Sequence, residues 1–234
     1  MEQTIRYSAK DKMATLISQN SDLLQIMSCF NIPLGFSDLT VEEVCLKNNV
    51  HTPTFLAVVN FVSDGFSTLD ADYDNLSIQS LMQYLKQTHT YYLTHLLPGI
   101  RTKLIAAICE AKNKVAQLIL RAFDEYTHEI DKHMGYEDQT VFVYVEHLLT
   151  GQRAPQYQIK TYSKHHDQVS ERLTELKNII IKYAPSQVNH FLLTTALLDI
   201  YLCEKGLEWH CKIEDYLFTP LVHRYERKLQ DDEK

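Results

Sequence analysis

Glycine and proline are scarce in this 234-residue chain, six of each, whereas sheet proteins need many turn residues. That scarcity, with apolar residues recurring at steps of three and four rather than two, excludes a β-rich fold and predicts a mostly helical one. No run of about 18 apolar residues is present to cross a bilayer. The opening MEQTIRYSAKDKM lacks the apolar stretch of a secretory signal. Cysteine is odd in number (Cys29, Cys45, Cys109, Cys203, Cys211) and forms no C-x-x-C pair, which argues against both a disulfide framework and a cysteine zinc knuckle. Basic residues are the minority, 23 against 30 acidic, and the net charge of −7 comes with no basic cluster to hold a phosphate backbone. A soluble protein of a reducing, cytoplasmic compartment is expected, binding neither nucleic acid nor membrane.

What the chain does contain is helical pattern in two blocks. Residues 64–76, SDGFSTLDADYDN, are polar, acidic and without periodicity, the composition of a linker. The first 63 residues hold several short helical patterns, among them KDKMATLIS, DLLQIMSCF, TVEEVCLKN and TPTFLAVVNFV. A core of that size is marginal alone, so residues 1–63 are expected to dock as a small helical domain on the remainder of the chain. From residue 77 to about 226 the pattern predicts four long helices, roughly 77–110, 113–149, 157–184 and 186–224. Pro98 falls within the first and predicts a kink or a split there.

The inward face of each helix can be written out at alternating steps of three and four. The second runs Ile119, Phe123, Tyr126, Ile130, His133, Glu137, Val141, Tyr144, Leu148, and the fourth runs Ala196, Ile200, Cys203, Leu207, His210, Glu214, Leu217, Leu221. The third gives Tyr162, His166, Val169, Leu173, Leu176, Ile180, Tyr183, and the first Met82, Leu85, His89, Tyr92, Leu96. Four histidines and two glutamates thus interrupt apolar seams. Of the eleven histidines, only His133 and His210 have glutamate four residues later, the offset that makes two side chains neighbours on a helix surface. Heights agree across the first turn, since His89 lies 22 residues before Ala111 and His133 lies 22 after it. Across the third turn they agree only if the fourth helix starts late or part of the connection is loop. The remaining histidines, His51, His95, His128, His147, His190 and His223, are expected at surfaces and caps, with His165 beside the site or in solvent.

Burying two carboxylates costs several kcal/mol per ion unless something compensates them, and metal ions are the natural partner. Four imidazoles and two carboxylates exceed what one tetrahedral zinc needs, and a nitrogen and oxygen set without thiolate suits iron or manganese. Two ions fit the count, each with two histidines, both glutamates bridging, and a hydroxide or other anion as a further bridge. Open positions would take oxygen, nitric oxide, peroxide or water. The ferritin-like arrangement needs a Glu-x-x-His motif on each of two helices; here it occurs once, at Glu125 and His128, off the seam.

These residues resemble the hemerythrin-like di-iron proteins, specifically the repair of iron centres family, also known as regulators of cell morphogenesis and nitric oxide signalling. QTHTYYLTHLLPGI is similar to the family's first ligand stretch, with His89 in the ligand place. HMGYEDQTVF resembles its His-x-x-x-Glu motif, with His133 and Glu137; KHHDQV resembles its histidine-aspartate ligand, which selects His166; HCKIEDYLFTPLV supplies His210 and Glu214. The resemblance implies an all-α, up-down four-helix bundle with a small N-terminal helical domain. It also implies a non-haem centre of two iron ions, carboxylate- and oxo- or hydroxo-bridged, with manganese or zinc as other occupants the same ligands accept. The family's N-terminal domain carries adjacent cysteines followed by glycines, and NIPLGFSDLTVEEVC has neither. Three roles arise from the resemblance and the donor set. They are protection or repair of iron-sulfur proteins under nitrosative or oxidative stress, sensing of oxygen, nitric oxide or redox state through a protein partner, and reduction of oxygen or peroxide. The residues alone leave open which are catalytic and whether the chain forms a homo-oligomer.

Overall fold

The computed structural model describes residues 6–64, 73–108, 114–151, 159 and 169–232, the side chains of 169–171 and 232 excepted. His166, Tyr162 and Cys109 lie outside the described residues, as do residues 65–72 of the expected linker. The chain is all-α. Four short helices come first: α1 (Met13–Gln19), α2 (Leu23–Cys29), α3 (Val41–Lys47) and α4 (Thr52–Asp64). The first long run is α5 (Ile78–Thr90), a π-helical stretch π1 (Tyr91–Leu96) and α6 (Leu97–Ile108); the second is α7 (Lys114–Tyr136), π2 (Glu137–Val141) and α8 (Phe142–Leu149). Then come α9 (Val169–Tyr183) and a last run of α10 (His190–Ile213), π3 (Glu214–Phe218) and α11 (Thr219–Asp232).

The chain divides into two compact units, residues 1–88 with 212–234, and residues 89–211. In the first, the short helices are set by their ends. Thr40 and Glu43 form a reciprocal capping box at the start of α3. At the ends of α2 and α3, Asn31 and Asn49 take left-handed backbone (φ 56° at both). The amides of Ile32 and Val50 then reach back to the carbonyls of Met27 and Cys45, at 2.9 Å each, so the same left-handed cap closes both helices. Phe30 anchors the core, edge-on to Phe55 at 5.3 Å and stacked on Tyr84 at 4.6 Å. The buried Asn60 side chain accepts from the Tyr7 amide at 2.7 Å and donates to the Tyr7 carbonyl at 3.0 Å, pinning the N-terminal segment to α4. The chain's C-terminal residues belong to this same unit. Tyr73 donates from its hydroxyl to the Tyr216 carbonyl at 2.7 Å, Asp74 pairs with Lys228 at 3.0 Å, and Phe61 lies against Tyr216.

The second unit is a four-helix bundle of α6, α7, α9 and α10. Its core draws Leu97, Ile100 and Leu104 from α6, Ile119, Phe123, Tyr126 and Ile130 from α7, Leu173, Leu176 and Ile180 from α9, and Ala196, Ile200, Cys203 and Leu207 from α10. The three-and-four spacing of these residues is why each helix buries one stripe. Ion pairs mark which helices are neighbours: Arg101–Asp124 joins α6 to α7, Arg172–Glu129 joins α9 to α7, Lys177–Glu204 joins α9 to α10 and Lys103–Asp199 closes the ring between α6 and α10. The exposed pairs, Arg101–Asp124, Arg172–Glu129 and Lys103–Asp199, contribute only about 0–1 kcal/mol each, so the apolar stripes hold the bundle. The Asn189 amide donates to the Ala107 carbonyl at 2.8 Å, setting the start of α10 beside the end of α6, as antiparallel neighbours require.

One expectation is corrected in detail. The third seam ends at Ile180: Tyr183, the last residue of α9, stands clear of the core at 63% exposure. At Pro98 the regular α-helix is interrupted, by the π-helical stretch that precedes the proline. Pro98 sits second in α6, directly after π1, and Pro220 likewise sits second in α11, after π3. A proline cannot donate to the helical ladder, and the wider turn immediately before it takes up the mismatch. The fourth helix starts at His190, a few residues later than the pattern places it.

Candidate metal centre

Among the described residues, the seam histidines and glutamates lie at or within about a turn of places where the α-helical ladder gives way to π-helical turns. π2 opens at Glu137 and π3 at Glu214, while π1 opens two residues after His89. One extra residue per turn rotates the following side chains by roughly one residue's worth of helix, about 100°. Both Val141 and Phe142 are therefore buried after Glu137, and both Leu217 and Phe218 after Glu214. Such turns often mark functional sites.

Within the second unit, Glu137 is fully buried and its two oxygens face two different histidines. Oε1 lies 3.0 Å from Nε2 of His133 and Oε2 lies 3.1 Å from Nε2 of His89. His89 is itself buried, stacked on Phe142 with ring centroids 5.4 Å apart and edge-on to His210 at 5.1 Å. One ligand atom from each of His89, Glu137 and His210 lies within 4.8 Å of the other two. His133 is the most accessible of the set, with its side chain 13% exposed. Glu214 follows His210 by one turn of the same helical run and is fully buried. In its own unit it lies near Tyr84, whose phenol is held well above its ordinary pKa by burial first, with Cys29 and the Glu214 charge adding to the effect.

The donor set fits a metal ion. Donors about 2.1 Å from an ion stand about 3.0 Å apart when adjacent in its coordination shell and about 4.2 Å when opposite. The His133–Glu137 and His89–Glu137 separations match the first value. The second is inside the 4.8 Å spread of the cluster. Nitrogen and oxygen donors without thiolate suit iron, manganese or zinc rather than a soft ion.

Of the six residues expected from sequence, the structure brings His89, His133, Glu137 and His210 together in one unit. It sets Glu214 one turn from His210 and leaves His166 outside the described residues. The histidines assigned to surfaces and caps behave so: His95, His128, His147 and His190 are exposed, His51 bonds to Thr54 at 2.9 Å, and His223 pairs with Glu226 at 3.2 Å. Among the described residues, no cysteine belongs to the cluster of donors. Burial pushes the thiols of Cys29 and Cys45 up to about 11 and that of Cys203 up to about 12.

Sequence reasoning missed Asp138, whose Oδ1 lies 3.0 Å from Nδ1 of His89. Consecutive residues diverge by about 100° on a regular helix; here the pair opens π2, and no local sequence signal announces such a turn.

Residues 80–222 match the family model of the hemerythrin HHE cation-binding domain. No curated protein and no solved structure matches the chain.

Proposed function

The chain belongs to the hemerythrin HHE cation-binding family, and from that premise we propose that it holds two non-haem iron ions and protects or repairs iron-sulfur centres under nitrosative or oxidative stress. The observation that carries the proposal is Glu137, a buried carboxylate whose two oxygens each face the Nε2 of a different histidine. A carboxylate disposed in this way is suited to bridging two ions. Sequence supports the count: adding 77 to each number carries His89, His133 and Glu137 onto His166, His210 and Glu214, so the same three donor types recur in the sequence at the same spacing.

When bound, two ferrous ions supply electrons and open coordination positions for oxygen, nitric oxide or peroxide. The chain's own contribution is enclosure and orientation. Phe142, stacked on His89, and Tyr92, edge-on to His210, are both fully buried and keep bulk water away, which strengthens every charge interaction inside. His133, partly exposed, forms the accessible side and is the expected route for a small ligand. A reducing compartment, proposed as the cytoplasm, agrees with free thiols at Cys29, Cys45, Cys203 and Cys211. Among the described residues no helix is long and apolar enough to cross a membrane.

A second reading, sensing through a protein partner, is favoured by one observation. The N-terminal helices and residues 212–234 form a single unit in which Tyr84, stacked on Phe30, lies near Glu214. A change at that carboxylate would thus be felt in the packing of the N-terminal helices.

The deciding experiment is metal content per chain on protein purified without air, with optical spectra before and after oxygen and nitric oxide. About two irons per chain, with oxo-bridge bands on oxidation, supports the centre. Transfer of that iron to an apo iron-sulfur protein then supports repair, and tightly held iron with a ligand-dependent change in N-terminal proteolysis supports sensing. Absence of iron, or one tightly bound zinc, overturns the di-iron proposal.

A further inference from the structure

Resting on the reading of His89 and Glu137 as metal ligands, we infer that Asp138 is a positioning residue for the centre. It holds the proton on Nδ1 of His89 and so commits Nε2 to the metal. Two adjacent residues grip the two nitrogens of one imidazole: Glu137 lies 3.1 Å from Nε2 and Asp138 lies 3.0 Å from Nδ1. In a regular α-helix, neighbours in sequence diverge by about 100° around the axis and do not face one target. Here the pair opens π2, and the altered turn lets both carboxylates converge on the ring. Phe142, stacked on the imidazole with planes 26° apart, removes the remaining freedom of rotation.

The chemistry rests on how imidazole binds a cation. A neutral ring has one nitrogen with a proton and one with a free lone pair. For Nε2 to donate to a metal the proton must sit on Nδ1, and a carboxylate acceptor there fixes that tautomer, orients the ring and raises the basicity of the donor nitrogen. Asp138 meets solvent more than the groups it joins, with its side chain 42% exposed while those of His89 and Glu137 are 2% and 0%. Its charge is therefore kept hydrated on one side, and the site gains an anionic partner without burying a third carboxylate. The same Glu-Asp pair recurs at Glu214 and Asp215, where π3 opens.

The test compares wild type with Asp138→Asn, which keeps an acceptor oxygen, and Asp138→Ala, which does not. Zinc serves as a diamagnetic probe for nitrogen-edited NMR of the histidine rings, and ferrous iron for release to a competing chelator. The wild type should show a protected Nδ1–H resonance from His89, weakened in Asp138→Asn and lost in Asp138→Ala. Iron release should be about 10–100-fold faster in Asp138→Ala, with Asp138→Asn between. Thermal unfolding of the metal-free variants should match wild type, because the side chain is half in water. An Asp138→Ala protein with wild-type resonance and release rate overturns the inference and leaves the metal site standing. A wild type that takes up neither ion overturns the reading of the site, and the inference with it.

Discussion

Glu137 and His89 meet across the second unit, Oε2 to Nε2 at 3.1 Å, both almost wholly removed from solvent. Their encounter is built from two sources. The three-and-four pattern of the helices sends both inward, and the π-turns at 91–96 and 137–141 adjust their rotation. Neither side chain improves the apolar packing, and an inward carboxylate is costly in a core. The arrangement has a physical rationale once a cation is to be held.

Metal content should report that rationale directly. Glu137→Ala and His133→Ala are expected to lower bound iron by at least tenfold, and Glu214→Ala to do the same, while His95→Ala, at an exposed position, keeps wild-type content. Elemental analysis of the four proteins after identical loading checks this. Equal content in all four would defeat the assignment of ligands.

Metal should also stabilise the fold, since a ligand that binds only the folded state adds to its stability by mass action. At free ferrous iron 100 times the dissociation constant the gain is about 2.7 kcal/mol per site. The denaturation midpoint of anaerobic protein should therefore rise with added iron, fall back on chelation, and not respond in Glu137→Ala. A midpoint insensitive to metal in the wild type would mean that the donors do not act together on an ion.

Much of this is legible in the sequence, for particular reasons. Ile119, Phe123, Tyr126 and Ile130 repeat at helical spacing and are buried, so His133 and Glu137, continuing the same seam, are placed inward by pattern alone. The two His-x-x-x-Glu pairs recur on separate helices, which carries more than a single buried histidine could. What the pattern does not contain is the backbone between them. The π-turns depend on which carbonyl each amide selects once neighbouring helices are packed, not on local composition, and on a regular helix Asp138 would point to solvent. Tyr183 departs from its seam for a related reason: periodicity says which face is apolar but not where the bundle stops covering it.

Thiol chemistry should separate this chain from a cysteine-dependent repair protein. With burial holding Cys29 and Cys45 at about 11 and Cys203 at about 12, these thiols stay protonated near neutrality and only the thiolate is reactive. Brief alkylation of native protein at pH 8, localised by mass spectrometry, should leave all three unmodified and mark the partly exposed Cys211. The sign of the linked stability effect is fixed. The unfolded thiols ionise first, near 9, so above that pH the unfolded state holds fewer protons than the folded one and stability falls until the folded values are passed. Unfolding curves at pH 8 and pH 10 should show the decrease. Rapid labelling of Cys29 or Cys45 at pH 8 would show that the N-terminal unit opens readily.

Asn60 offers a test of that unit alone. It satisfies both the amide and the carbonyl of Tyr7 from a position 7% exposed, so its removal strands a backbone donor and an acceptor where water has little access. Each stranded group costs about 1–3 kcal/mol, and Asn60→Ala should destabilise the first unit by at least the lower value. Asn60→Asp keeps the oxygen that accepts from the Tyr7 amide but sets a second carboxylate oxygen against the Tyr7 carbonyl where water has little access, so at neutral pH a loss no smaller than that of Asn60→Ala is expected. Hydrogen exchange read residue by residue should show protection lost around α4 and the N-terminal segment, with α7 and α9 in the second unit unchanged. Uniform loss of protection across α4, α7 and α9 would instead show that the two units unfold as one.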